Sequence, residues 1–233
     1  MIARPMRFGV LASTGGAVLG QMLLSSWFRE HLALVVTDRA CGARARAIAH
    51  GRPVVTVDAR DPALRERAMA DAFREAEVDH VLLFYTRLLR HDLLERYAGR
   101  LWNLHPALLP AFPGPHGFED ARRAGARLLG TTIHAVDAGM DTGPVLAQSV
   151  FAGAPGATES DLRHALFGQQ VRMALQTCRW LAQERVTLEG DRVLVRDEPA
   201  PMFLAGALYA PGLDDTEARM LAIPAFMPQE TLR

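Results

Sequence analysis

The sequence predicts an α/β fold in which a mostly parallel sheet is flanked by helices, and three observations carry that expectation. Short apolar runs rich in Val, Leu and Phe recur at residues 7–12, 32–37, 53–57 and 80–85. Stretches of helical periodicity separate them, at residues 17–31, 40–50 and 61–76. Strands alternating with helices in this way build βαβ units, whose strands run parallel. With 233 residues, 49% hydrophobic and 22% charged, the chain is long enough for one large domain with a sizeable core.

Taken in order, the first strand ends in Ser13-Thr14-Gly15-Gly16, a turn into the first helix that gives a β-turn-α, Rossmann-like opening. A helix start after glycines often takes an anion; a tight turn is the plainer reading. Arg44, Arg46 and Arg52 cluster around the second helix as a solvated face, with a site for an acid as the alternative. Thr86-Arg87-Leu88-Leu89 follows the fourth strand at its C-terminal end, where open α/β sheets bind ligands. Arg100-Leu101-Trp102 then leads into Asn103-Leu104-His105-Pro106. Side chains alternate along a strand, so Asn103 and His105 point the same way. Pro106, Pro110 and Pro113 fix φ and remove donors, which makes the exit a rigid loop.

Residues 115–125 read as a short helix, and 130–136 and 145–150 as strands joined by a Gly-containing loop at 137–143 that delivers Asp141. Thr158-Glu159-Ser160-Asp161 is an N-cap with acidic first-turn residues, opening a long helix to about residue 184. Residues 185–195 form a hairpin around Glu189-Gly190-Asp191. The first domain is thus expected at 1–198. From 199 to 233 the five prolines 199, 201, 211, 224 and 228 predict an extended tail around a short helix at 215–221. Its Met202, Phe203, Leu204, Leu208, Tyr209, Phe226 and Met227 are expected to pack on the body or on a partner subunit in a homodimer, since exposing them all would be costly.

Composition excludes several function classes. Lys+Arg and Asp+Glu are both 26, so no overall field attracts nucleic acid or an anionic membrane. No apolar run approaches the roughly 18 residues of a membrane span, and the start has no signal-peptide core, so a cytoplasmic location is expected. Cys41 and Cys178 lie far apart without CxxC spacing and read as inert thiols. The chain contains no lysine, which excludes a Schiff base or an ordinary P-loop, and Asn103 is its only asparagine.

The chemistry concentrates between residues 103 and 144. A carboxylate from Asp141 beside His105 would orient the ring and favour its protonated form, and Asn103 would donate to a developing oxyanion. Donor, acid/base and orienter are the parts of an acyl-transfer site. A metal held by His105, His116, His134 and Asp141 is not expected, because the facing-His spacing of zinc hydrolases is absent. His134 alone reads equally well as a satisfied core residue.

Asn103 to Pro110, Pro113-Gly114-Pro115-His116, Gly130-Thr131-Thr132-Ile133-His134 and Asp141-Thr142-Gly143-Pro144 resemble the formyltransferase family that uses 10-formyltetrahydrofolate, and the resemblance runs from about residue 7 to about residue 195. It implies a cytoplasmic one-carbon transferase with 10-formyltetrahydrofolate as co-substrate and without a metal. Asn103, His105 and Asp141 become its catalytic residues. Arg87, Leu88, Leu89, Val136, Asp137 and Met140 become folate contacts, and Ser13, Thr14, Gly15, Gly16, His116, Gln169 and Gln170 acceptor contacts.

On the acceptor side the chain departs from the glycinamide ribonucleotide (GAR) branch. That branch's first turn resembles Ser-Gly-Asn-Gly-Ser-Asn-Leu, and here its polar anchors are Ala17 and Val18. A Gln-Glu-His run in its long helix aligns with Gln169-Gln170-Val171. An unpaired ligand phosphate is expensive to desolvate, so a smaller or uncharged acceptor is expected. The altered acceptor pocket resembles that of the hydroxyornithine formyltransferases of siderophore biosynthesis, which implies a small amine or hydroxylamine, N5-hydroxyornithine first, with GAR as the alternative. Methionyl-tRNA formyltransferases add a C-terminal nucleic-acid-binding domain, and formyltetrahydrofolate hydrolases an N-terminal regulatory one; neither is expected here. A catalytically silent folate-binding protein sits poorly with intact Asn103, His105 and Asp141. A nucleotide-binding module lacks Gly-x-Gly-x-x-Gly and has only Asp38 for a ribose.

Overall fold

The computed structural model describes residues 4–153 and 156–223. Five parallel strands form one half of its main sheet: β1 (Phe8–Ala12), β2 (Leu32–Thr37), β3 (Val54–Thr56), β4 (His80–Phe84) and β5 (Leu101–His105). β1 lies between β2 and β4, β3 flanks β2, and β5 flanks β4. The other half is antiparallel. β6 (Leu128–Ala135) pairs with β5 and β7 (Val145–Ala152) with β6. β8 (Val186–Glu189) and β9 (Arg192–Val195) form the separate hairpin that the Glu-Gly-Asp turn predicts. β10 (Met202–Leu204) and β11 (Ala207–Ala210) then return to the main sheet, giving the order β10-β11-β7-β6-β5-β4-β1-β2-β3.

Every residue of β1 is buried, as a strand covered on both faces must be. Alternation sends Phe8, Val10 and Ala12 into one core and Leu11 into the other. Gly9 lies against Phe73, and a Cβ there would come 2.7 Å from that ring, so only glycine admits the packing.

The helix expected at 17–31 is two helices, α1 (Ala17–Met22) and α2 (Ser26–His31). Ser25 makes the break: its hydroxyl accepts from the Phe28 N–H at 3.1 Å and restarts the chain as an N-cap. α3 (Gly42–Ala49) and α4 (Pro62–Glu75) follow, the latter capped by Asp61 with Pro62 in its first turn. A five-residue helix α5 (Asp92–Arg96), unforeseen because it is too short for a periodic pattern, packs on α4. α6 (Gly117–Arg123) and α7 (Glu159–Ala182) occupy the expected places. In α7 Thr158 and Asp161 form a reciprocal capping box.

Beyond Pro199 the chain is not a simple extended tail. β11 pairs with β7 and so closes that edge, with Tyr209, Ala207 and Leu213 buried. Alternation leaves Phe203 73% exposed on the opposite face. α8 (Thr216–Met220) is held to α7 by Gln176, whose amide donates to Asp214 Oδ1 at 2.6 Å while its carbonyl accepts from the N–H groups of Asp214 and Asp215. Phe226 and Met227 lie outside the described residues. Among the described residues no helix is long and apolar enough to cross a membrane.

Candidate active site

Order 3-2-1-4 makes β1 and β4 neighbours whose connections leave in opposite directions, and such switch points open a crevice at the strand C-termini. A cleft of about 410 Å³ lies there, in the size range of small-molecule sites. One side is the turn after β1 with the segment after β4; the other is the end of β5 with the β6–β7 loop.

β5 brings in Asn103 and His105, and their two-residue spacing puts both on the cleft side. Antiparallel pairing sets His134 of β6 directly opposite Asn103. Asp141 reaches the same point from the β6–β7 loop with a left-handed backbone, φ 55°, a conformation Asp tolerates better than most side chains. Its carboxylate accepts from the Gly114 N–H at 2.7 Å and lies 3.3 Å from His105 Nδ1 and 3.5 Å from His134 Nε2. Asn103 Nδ2 is 3.1 Å from His134 Nε2 and donates to Asp141 Oδ1 at 3.4 Å. His105 Nε2 meets the Phe112 carbonyl at 2.8 Å.

Burial sets much of the electrostatics. His105 is 3% exposed, and desolvation pulls its pKa below the ordinary histidine value against the opposing pull of Asp141 and the Phe112 carbonyl. For Asp141 burial pushes upward, but the close approach of the His134 ring, the hydrogen bond from the Gly114 N–H and the nearby His105 ring outweigh it, so its pKa falls below the usual carboxylate range. Asp141 is therefore ionised at neutral pH, and at 14% exposure its side chain is more open than the His105 ring at 3% or the His134 ring at 2%.

The strand after the proline loop fastens this geometry. Thr131 Oγ1 donates to the His105 carbonyl, Thr132 Oγ1 to that of Ala107, and Gln148 to that of Leu109. Sequence reading missed these clamps, along with Phe167 and Leu104 in the cleft wall. The only signal would have been the β5–β6 register, which sets Thr132 opposite His105.

Of the expected folate contacts, Arg87, Leu88, Leu89, Val136, Asp137 and Met140 all line the cleft. Arg87 also pairs with the fully buried Asp38 carboxylate at 2.9 Å, which Arg39 holds from the other side at 2.8 Å. Asp38 is thus committed and offers nothing to a ribose. Of the expected acceptor contacts, Thr14, Gly15, Gly16 and Gln170 line the cleft; Ser13, His116 and Gln169 do not. Ser13 is buried, its hydroxyl 3.2 Å from that of Thr86, tying the two cleft turns together. Gln169 is buried against β7, its carbonyl accepting from Ser149 Oγ at 2.6 Å; one helical step of about 100° separates it from Gln170. His116 is exposed, at the N-cap position of α6. Among the described residues no group of three or more His, Cys, Asp and Glu side chains is placed to hold a metal ion.

Comparison with known proteins agrees with the geometry. The formyl transferase family profile matches residues 6–177. The phosphoribosylglycinamide formyltransferase of Mycobacterium tuberculosis is 38% identical over 193 residues, 80% of this chain and 89% of that protein. That of Bacillus subtilis is 36% identical over 150 residues, 61% and 77% of the two chains. Among solved structures, glycinamide ribonucleotide transformylase 1 from Symbiobacterium toebii superposes with a TM-score of 0.78 at 32% identity, covering 83% of this chain and 95% of its own. These relatives overturn the expectation of an N5-hydroxyornithine acceptor and of siderophore biosynthesis. The inference from Ala17, Val18 and Gln170 weighed side chains alone. Backbone N–H groups also bind phosphate, and a change of side chain leaves them in place.

Proposed function

The chain belongs to the formyl transferase family, a folate-dependent enzyme family, and from that premise we propose that it transfers the formyl group of 10-formyltetrahydrofolate to the primary amine of phosphoribosylglycinamide in purine biosynthesis. The observation that carries this reading is the convergence of Asn103, His105 and Asp141 on one wall of a cleft that continues to the turn after β1.

The apolar walls formed by Leu88, Leu89, Val136 and Met140 suit a flat ring system, and the volume suits a molecule of that class. When bound, the folate supplies a formyl carbon on N10: the acceptor nitrogen bonds to that carbon, the C–N10 bond breaks, N10 gains a proton and the acceptor nitrogen loses one. Asn103 meets the negative charge that develops on the formyl oxygen. Asp141, ionised and more exposed than either ring, accepts the acceptor's proton through solvent. His105 is neutral in the unliganded protein, donating from Nε2 to the Phe112 carbonyl; its Nδ1, 3.3 Å from Asp141, is the place where a proton can bridge the pair. At the other end of the cleft Gln170 offers an amide to the acceptor, and Arg46 Nε holds the Gly15 carbonyl at 3.1 Å, steadying the turn that would meet the phosphate.

Tetrahydrofolate release from 10-formyltetrahydrofolate, followed with GAR, with its dephosphorylated form and without acceptor, tests the assignment. GAR alone should support turnover. Equal release without acceptor would make the protein a hydrolase, and equal release with the dephosphorylated form would remove the phosphate from its specificity.

A further inference from the structure

We propose that His134 is a positioning residue whose own protonation decides which end of the Asn103 carboxamide faces the cleft. The proposal rests on Asn103 being the donor to the formyl oxygen, as set out above.

His134 is 2% exposed, and its Nδ1 lies 2.9 Å from the carbonyl oxygen of Ala135. A carbonyl oxygen only accepts, so in the neutral ring Nδ1 carries the proton and Nε2 holds a lone pair. That lone pair faces Asn103 Nδ2 at 3.1 Å, and the same nitrogen donates to Asp141 Oδ1 at 3.4 Å. A carboxamide nitrogen has two hydrogens, and here both are engaged, one by His134 Nε2 and one by Asp141 Oδ1. The end left for substrate is the carboxamide oxygen, which cannot donate to an oxyanion.

A second proton on His134 reverses this. Nε2 then becomes a donor and would confront the Asn103 N–H, while Asp141 Oδ1, 3.5 Å away, stabilises the charged ring. Turning the carboxamide over lets its oxygen accept from Nε2 and releases Nδ2 toward the cleft. The charged and titratable groups facing the ring are Asp141 from the β6–β7 loop and His105 from β5. The carboxylate attracts a proton to either ring, and a proton on one ring opposes a proton on the other. The proton that the acceptor nitrogen gives up to Asp141 as it bonds to the formyl carbon can pass on from Oδ1 to Nε2, 3.5 Å away, which arms the donor while the oxyanion stands; the same proton then goes to N10 as the C–N10 bond breaks.

Asn103 is the only asparagine in the chain, so protein labelled with ¹⁵N in asparagine side chains alone gives one carboxamide pair in a proton–nitrogen spectrum. Across a pH series on the folded protein that pair should shift along the same curve as the His134 ring signals. In His134→Gln the pair should stay put, and kcat/KM should lose the corresponding limb of its pH profile while KM for the folate is unchanged. A carboxamide pair that stays put while the His134 signals move overturns the proposal, as does a His134 ring that takes up no proton while the protein stays folded, or a His134→Gln enzyme with the parent pH profile. The spectra need no turnover, so they stand apart from the oxyanion assignment itself, which fails separately if Asn103→Ala turns over at the parent rate.

Discussion

At the residue scale the site depends on a few approaches too close for any larger group. Gly117 opens α6, and a Cβ there would fall 2.6 Å from His105 Nε2 and 2.9 Å from the Phe112 carbonyl. Neither neighbour has room to retreat: His105 is buried between them, and the other contact is backbone. Gly117→Ala should therefore break the His105–Phe112 hydrogen bond and displace the ring, lowering kcat by about 10²-fold, the cost of a misplacement of about 1 Å. Steady-state kinetics checks this, and a variant at the parent rate would show that His105 need not be held there. Asn103, His105 and Asp141 were legible in the sequence because their spacing and loop contexts are short-range patterns. Gly117 was not, since its role depends on a helix start meeting a strand end that only the tertiary fold brings together. His134 was half legible. Its strand was evident, but whether it faced the core or the site turned on the β5–β6 register.

At the element scale the signals that worked were caps and alternation. The Thr158–Asp161 box starts α7, the long helix that carries Gln170 into the cleft and Gln176 against Asp214. Thr158→Ala removes the acceptor for the Asp161 N–H and should lower stability by about 1 kcal/mol without changing kcat, since the cap lies at the exposed end of the helix. Denaturant unfolding of the variant measures it; a loss of activity at full stability would contradict the reading. The same chemistry explains one miss. Ser25 caps α2 inside a stretch whose apolar periodicity runs unbroken from 17 to 31, and a serine pair there is as compatible with one helix as with two. β10 and β11 were missed for another reason: they are short, interrupted by Ala205 and Gly206, and bracketed by prolines, and only the pairing of β11 with β7 and of β10 with β11 makes them strands.

At the scale of the whole molecule, the strand order places the cleft, and burial makes the fold acid-sensitive. His80 opens β4 and accepts from Trp102 Nε1 through Nδ1 at 3.2 Å, so it must keep that lone pair. Burial lowers its pKa from 6.5 to about 4, with Asp79 opposing. A depressed folded pKa means that the unfolded chain binds the proton first as pH falls. The stability from neutral His80 is thus complete above pH 6.5 and drains away toward pH 4, by on the order of 3 kcal/mol. Melting temperatures across that window should fall less steeply for His80→Gln than for the parent, and parallel curves would contradict the assignment. The parallel half of the sheet could be read from repeated apolar runs, and with it the location of the site at the strand ends. The acceptor could not, because the turn after β1 presents backbone as well as side chains. The central claim is that this cleft moves a formyl group to the GAR amine, and the most direct test is to follow a ¹³C-labelled formyl carbon from 10-formyltetrahydrofolate. The account predicts the label in an amide bond on the GAR nitrogen with the parent enzyme, and transfer about 10²–10³-fold slower with Asn103→Ala. Label recovered as free formate, or transferred at equal rates by both proteins, would contradict it.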